Sequence, residues 1–139
     1  MDSTCFTNKE YATEEIKFIK EHSKLGYNFA KLPAPRIGIC GAIAPNSYII
    51  DPYGDIYKCW DDIGNINERI GNITNIELKN SNIIKWINYN FLKDEECKEC
   101  CFLPVCMGGC PNKQIKKSEK WCVTIKDNYN EFIDILVGL

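Results

Sequence analysis

Five cysteines fall between positions 97 and 110, in the order Cys97-Lys-Glu-Cys100-Cys101-Phe-Leu-Pro-Val-Cys106-Met-Gly-Gly-Cys110. Four of them stand at C-x2-C-x5-C-x3-C, and Cys101 is the extra. Hydrophobic periodicity does not produce such a run, whereas thiolate ligation of a metal or cluster does. Gly108 and Gly109 precede the last cysteine and give the backbone the freedom to bend around a bulky inorganic group. Cys5, Cys40, Cys59 and Cys122 bring the total to nine. The N-terminus is polar, with Lys9, Glu10, Glu14 and Glu15, and shows no signal-peptide pattern. An odd number of cysteines in such a chain points to reduced thiols in the cytoplasm rather than a disulfide framework.

The composition narrows the classes. With 139 residues the chain is one domain, or one lobe of something larger. An apolar fraction of 45% excludes a disordered chain. Charge is nearly balanced, with 17 Lys+Arg against 19 Asp+Glu, and there is no basic stripe for nucleic acid. No apolar stretch approaches the ~20 residues of a membrane span. Neither a nucleic-acid nor a membrane partner is expected.

The elements that must position the cysteines can be read in order. Thr7-x-x-Glu10 is a capping box, followed by an apolar stripe of Ala12, Ile16 and Ile19, and Gly26 is a stop signal. Leu32-Pro-Ala-Pro35 reads as an extended connector. Asn46–Asp51 and Asp55–Cys59 form a hairpin around Asp51-Pro-Tyr-Gly54, a type I turn signature. Such a hairpin brings Cys40 and Cys59 to one end. Ile63-Gly-Asn-Ile66 and Ile70-Gly-Asn-Ile73 read as two turns with apolar anchors. Residues 81–91 make a short helix capped by Ser81, with Ile83, Ile84, Ile87 and Phe91 inward and Trp86 in the core near the edge of that face. Residues 112–120 read as a polar loop whose Lys113, Lys116, Lys117 and Lys120 face solvent. A final helix opens at the box Thr124-x-x-Asp127, buries Ile125, Tyr129, Phe132 and Leu136, and ends at Gly138. Cys122 stands just ahead of it. The expected fold is small α+β: a β-hairpin, short helices, cysteine-rich cluster-binding loops and a C-terminal helix.

Seven cysteines then line up as one pattern. Cys40 is followed by thirteen residues, Gly54, four residues and Cys59. Cys97-x2-Cys100-x5-Cys106-x3-Cys110 comes after a gap, and Cys122 after another. This resembles the SPASM domain, the auxiliary iron–sulfur extension of radical S-adenosylmethionine (SAM) peptide-modifying enzymes. Asp51-Pro-Tyr-Gly-Asp55, Cys59-Trp60, Ile70-Gly-Asn-Ile73 and Met107-Gly-Gly-Cys110-Pro111 also look like that family. The resemblance runs over about residues 36–122, and it makes 36–139 the auxiliary domain. Residues 1–35 become a helix and linker at the end of a radical SAM barrel in a longer parent chain.

The resemblance implies two [4Fe–4S] clusters with interleaved ligands. The first takes Cys40, Cys59 and Cys110; the second takes Cys97, Cys100, Cys106 and Cys122. Some relatives carry a further ligand where Ala34 stands here, so the first cluster is expected to keep one open iron, unless Cys5 or Cys101 fills it. A peptide or protein substrate is the implied partner, and thioether formation is a candidate chemistry. Sulfatase-maturing relatives place an Asp directly after the second cysteine, where this chain has Trp60 followed by Asp61 and Asp62. The C-x3-C-x2-C motif that binds the SAM-cleaving cluster is absent, since Lys113 stands where its third cysteine belongs. No catalytic residue is therefore assigned, and SAM is expected only with the full-length enzyme. A structural zinc module is the alternative, because four thiolates of the 97–122 set can close a tetrahedral site.

Overall fold

The computed structural model describes residues 5–27, 33–75 and 80–138. Leu32, the first residue of the expected connector, lies outside them. Residues 33–36 are irregular and exposed, and the Arg36 N–H donates to the Pro104 carbonyl at 2.9 Å.

The first helix, α1 (Asn8–Ser23), starts at the capping box. Thr7 N–H donates to Glu10 Oε2 at 2.7 Å, and Glu10 N–H donates to Thr7 Oγ1 at 3.2 Å. Ala12, Ile16 and Ile19 are its buried residues, as the stripe requires. Gly26 takes the left-handed conformation just beyond the end. The lone histidine, His22, stacks on Phe18.

A three-stranded antiparallel sheet follows, of β1 (Ile49–Ile50), β2 (Asp55–Tyr57) and β3 (Gly71–Asn72), in the order β1-β2-β3. Ile49 pairs with Tyr57 and Ile50 with Ile56. The turn is closed by Gly54 N–H to Asp51 O at 3.0 Å, while Asp51 Oδ1 accepts from Tyr53 and Asp55 N–H at 2.9 Å each. The strands are shorter than the alternation suggested. β3 replaces the expected second turn: Ile70 is fully buried, and Asp55 and Ile56 pair with Asn72 and Gly71. Gly-Asn has little β-propensity of its own. It is held by side chains, with Asn72 Nδ2 and Arg69 Nη1 both donating to Asp55 Oδ1, at 2.7 and 2.9 Å.

The second helix, α2 (Asn80–Ile87), begins before Ser81, which therefore lies in its first turn instead of capping it. Its inward face is also rotated from the expected one. Ile83 and Trp86 are buried, whereas Ile84 and Ile87 are exposed. The largest apolar side chain claims the core, because indole buries the most area per residue. Phe91 belongs to a separate 3-10 turn, Phe91–Lys93, capped by Asn90.

Four more helices follow among the described residues: α3 (Glu95–Lys98), α4 (Leu103–Cys106), α5 (Pro111–Lys117) and α6 (Tyr129–Val137). α5 stands where a polar loop was expected. Pro111 at its first position pre-sets the helical dihedral and Ile115 gives it an apolar anchor on the core of Ala42, Ile43 and Trp86. The box at Thr124 does not form a cap; Thr124–Lys126 is a 3-10 turn and α6 starts at Tyr129. Asn128, at the cap position, instead donates across the core to the Ala12 carbonyl at 3.0 Å. Tyr129, expected inward, is exposed, with Phe102 edge-on at 5.5 Å.

Two apolar cores result. Ile16 and Ile19 of α1 pack with Ile125 and Phe132, backed by Phe102, Val123, Ile135 and Leu136. Ala42, Ile43 and Trp86 form the other, backed by Cys59, Tyr89 and Ile115. The fold class is α+β, with a small antiparallel sheet and a C-terminal helix. No helix among the described residues is long and apolar enough to cross a membrane.

Candidate metal centre

All nine cysteines lie among the described residues, and each is a free thiol. Cys97, Cys100, Cys106 and Cys122 line one small cavity of about 20 Å³. Three short elements deliver them. Asp94 caps α3, its Oδ1 accepting from the Cys97 N–H at 3.1 Å, and fixes Cys97 in the first turn. Cys100 follows that helix, its N–H donating to the Cys97 carbonyl at 3.3 Å, and Cys106 closes α4 as the most buried thiol. Cys122 lies on the irregular segment that leads into the 3-10 turn Thr124–Lys126. Phe102 and Leu103 add apolar lining, which limits water access.

The backbone between Cys106 and Cys110 turns through three successive left-handed residues, Met107, Gly108 and Gly109. Both glycines are sterically demanded. A Cβ on Gly108 would lie 2.3 Å from Phe91 Cβ, and one on Gly109 would lie 2.2 Å from the Trp121 carbonyl oxygen. The Cys110 N–H donates to that same carbonyl at 3.2 Å. The tight turn therefore locks the 106–110 segment onto the 121–122 segment, and so sets Cys106 against Cys122.

The four thiols feel one another electrostatically. Burial pushes the Cys122 thiol up; the Lys126 ammonium opposes this, and the charges of Cys106, Cys97 and Cys100 add to it. Cys97 is raised by burial first, then by Asp94, with Lys120 opposing and Cys106 and Cys100 contributing further. Lys126 Nζ sits 4.0 Å from Cys122 Sγ and is itself held above the usual lysine range, chiefly by the Cys122 thiolate. At the mouth, Lys120 pairs with Asp94 and Glu96, and Lys126 lies 3.6 Å from Glu96. Lys120 thus does not belong to a free solvated face.

Cys40, Cys59 and Cys110 lie outside the lining of that cavity. Cys59 stands two residues beyond β2 and packs against the core of Ala42, Ile43 and Trp86. Cys40 is exposed and precedes the 3-10 turn Gly41–Ile43 that carries Ala42 and Ile43. Lys58 ties this region shut, its buried ammonium donating to the Ala44 and Ser47 carbonyls at 2.6 and 2.8 Å. Cys110 precedes α5, and Asn112 in that helix donates to Cys59 Sγ at 3.2 Å. Burial raises the Cys59 thiol, while the Asp61 N–H and the Asn112 amide partly offset it. Tyr89 lies near several of these groups. It packs on the core of Ala42, Ile43 and Trp86, its hydroxyl is 3.4 Å from the Gly108 carbonyl, and its phenol is raised by burial and then by Cys97, Asp94, Cys110 and Cys106. Cys5 and Cys101 are exposed, and neither lines the four-cysteine cavity.

Sequence spacing alone missed Asn112, Asp62, Lys116, Lys126 and Tyr89. Asp62 is buried, and Lys116 pairs with it instead of facing solvent. Only Lys126 had a signal, since it stands one helical turn after Cys122.

Four soft thiols face one space with apolar walls, and Lys126 stands ready to balance thiolate charge. Among the described residues, no group of three or more His, Cys, Asp or Glu side chains is placed to hold a metal ion. Comparisons with models of protein families, with curated proteins and with solved structures find no match for this chain.

Proposed function

We propose that this chain is an auxiliary [4Fe–4S] module of a radical SAM peptide maturase. The observation that carries the reading is the convergence of Cys97, Cys100, Cys106 and Cys122 on one apolar-walled cavity. These four residues hold one cluster, and Cys40, Cys59 and Cys110 hold a second with an open iron. A bound cluster supplies one-electron transfer and, at an open iron, a Lewis-acidic site for a soft donor such as a substrate thiolate.

The protein's part is to position and insulate. Asp94 fixes Cys97, the Gly108–Gly109 turn docks Cys106 beside Cys122, and Phe102 and Leu103 keep water away. Lys126 offsets the negative charge at Cys122. Substrate positioning and electron transfer are the proposed roles, with the radical-generating barrel supplied by the parent chain, in the cytoplasm, and a peptide or protein as substrate. Each thiolate would bind an iron of its own, so the four ligands need not converge on the single point that a zinc ion requires.

Anaerobic reconstitution followed by iron, sulfide and zinc analysis tests this. The expected result is about eight iron and eight sulfide per chain, for two four-iron clusters. About one zinc and no sulfide establishes the zinc module instead.

A further inference from the structure

A second cavity lies away from the cysteines, against the core formed by α1 and α6. Its volume is about 320 Å³, against about 20 Å³ for the four-cysteine cavity. Small-ligand sites begin at about 300 Å³. Its walls come from α1, the connector at 33–36, α4, and the 3-10 turn Thr124–Lys126 with α6. Ile19, Val105, Val123, Ile125 and Phe132 make the apolar surface. Ile19, Ile125 and Phe132 are themselves core residues, so the pocket opens directly onto a packed floor.

Three polar side chains break this lining: Arg36, Glu15 and Thr124. Arg36 is exposed, and its backbone N–H donates to the Pro104 carbonyl at 2.9 Å. That bond pins the connector to α4 beside Val105 and holds the guanidinium at the rim. The chain has two arginines, and the other, Arg69, is engaged by Asp55. Neither Arg36 nor Glu15 has an ion-pair partner among the described residues. A cation and an anion thus stand unpaired on one apolar pocket. The guanidinium fork matches a carboxylate, and the Glu15 carboxylate and Thr124 hydroxyl can accept N–H bonds. A fatty acid would satisfy Arg36 but offers no donor to Glu15. A peptide C-terminus offers both a carboxylate and an N–H.

We infer that this cavity binds the C-terminal residue of a peptide ending in an apolar side chain. The carboxylate lies on Arg36, the side chain on the floor of Ile19, Ile125 and Phe132, and the backbone N–H toward Glu15. No cysteine lines the pocket, so the site stands whether or not the chain holds clusters. Val105 and Val123 are the chain neighbours of Cys106 and Cys122, which line the four-cysteine cavity. A peptide held here therefore rests on the segments that carry those thiols.

The test is isothermal titration calorimetry of the full 139-residue chain with acetyl-glycyl-leucine, its C-terminal amide, acetyl-glycyl-glycine and octanoate. The free acid should bind saturably, with Kd about 1 mM or tighter. The amide, and the acid on Arg36→Gln, should each bind about tenfold more weakly or worse, as loss of a charge-assisted contact requires. Acetyl-glycyl-glycine should lose the apolar contribution and bind weakly. Glu15→Ala should weaken the peptide and leave octanoate unchanged. Both substitutions replace side chains outside the core, and unchanged denaturation midpoints confirm that the variants fold. The amide and glycine probes act on the wild-type chain and need no variant. No saturable binding of the free acid, equal binding of acid and amide, or octanoate binding as tightly as the peptide overturns the inference. Iron content of the same samples reports on the cluster reading separately.

Discussion

Gly109→Ala is the sharpest structural perturbation of the four-cysteine site. Gly109 has φ +73°, and an added Cβ meets the Trp121 carbonyl oxygen at 2.2 Å and its carbon at 3.0 Å. Those are backbone atoms, which cannot swing aside as a flexible side chain can. The left-handed conformation alone costs a non-glycine residue about 1–2 kcal/mol. Pushing Trp121 away also breaks the Cys110 N–H bond to its carbonyl, worth about 1 kcal/mol. The variant should thus lose about 2–3 kcal/mol, with the collision adding to it. Gly64→Ala is the matched control: φ is +83°, yet nothing lies within 4 Å of its Cβ. It should lose only the conformational part, about 1–2 kcal/mol. Urea denaturation followed by fluorescence of the three tryptophans gives both values. Iron uptake, measured alongside, should fall in Gly109→Ala and hold in Gly64→Ala. Equal destabilisation of the two variants, or full iron uptake by Gly109→Ala, refutes the claim that this turn docks Cys106 against Cys122.

Other outcomes follow from the same structure. Trp86→Ala empties the centre of the second core, where Trp86 is 1% exposed, and should cost about 3–5 kcal/mol in the same denaturation assay. Cys100→Ser should halve the iron content, while Cys5→Ser and Cys101→Ser keep it, as read by iron analysis of the reconstituted variants. Burial pulls the Glu68 carboxyl up, but the Lys85 and Lys116 ammonium groups outweigh it and hold the group below its ordinary range. Its stabilising contribution is thus present above the unfolded value of about 4.3 and lost as pH falls through the lower folded value. Glu68→Gln should therefore flatten the loss of stability between about pH 5 and pH 3, as measured by denaturation at stepped pH.

The parts of the fold written in local patterns were legible in the sequence. Thr7 and Glu10 stand three apart and can only satisfy each other at a helix start, and Asp51-Pro-Tyr-Gly54 closes a turn by its own side chain and glycine. The gathering of Cys97, Cys100 and Cys106 is likewise local, set by two short helices within ten residues of chain. What escaped was held by distant partners. β3 exists because Asp55 binds Asn72 and Arg69, and Gly-Asn carries no strand signal. α2 turned its face because Trp86 outcompeted Ile84 and Ile87 for one core. Asn112 lies fifty-three positions from Cys59, and no spacing rule links an asparagine to a thiol at that range. The lysines after Cys110 looked like a solvated run because their acidic partners, Asp62, Asp94 and Glu96, come from elsewhere in the chain.

The most direct measurement is a Mössbauer spectrum of the chain reconstituted anaerobically with ⁵⁷Fe. The account predicts that the iron absorbs as [4Fe–4S] clusters, and that the signal falls by about half when Cys97 and Cys122 are both replaced by Ala. Iron present only as mononuclear or adventitious species, or a cluster signal that survives the double replacement undiminished, contradicts it.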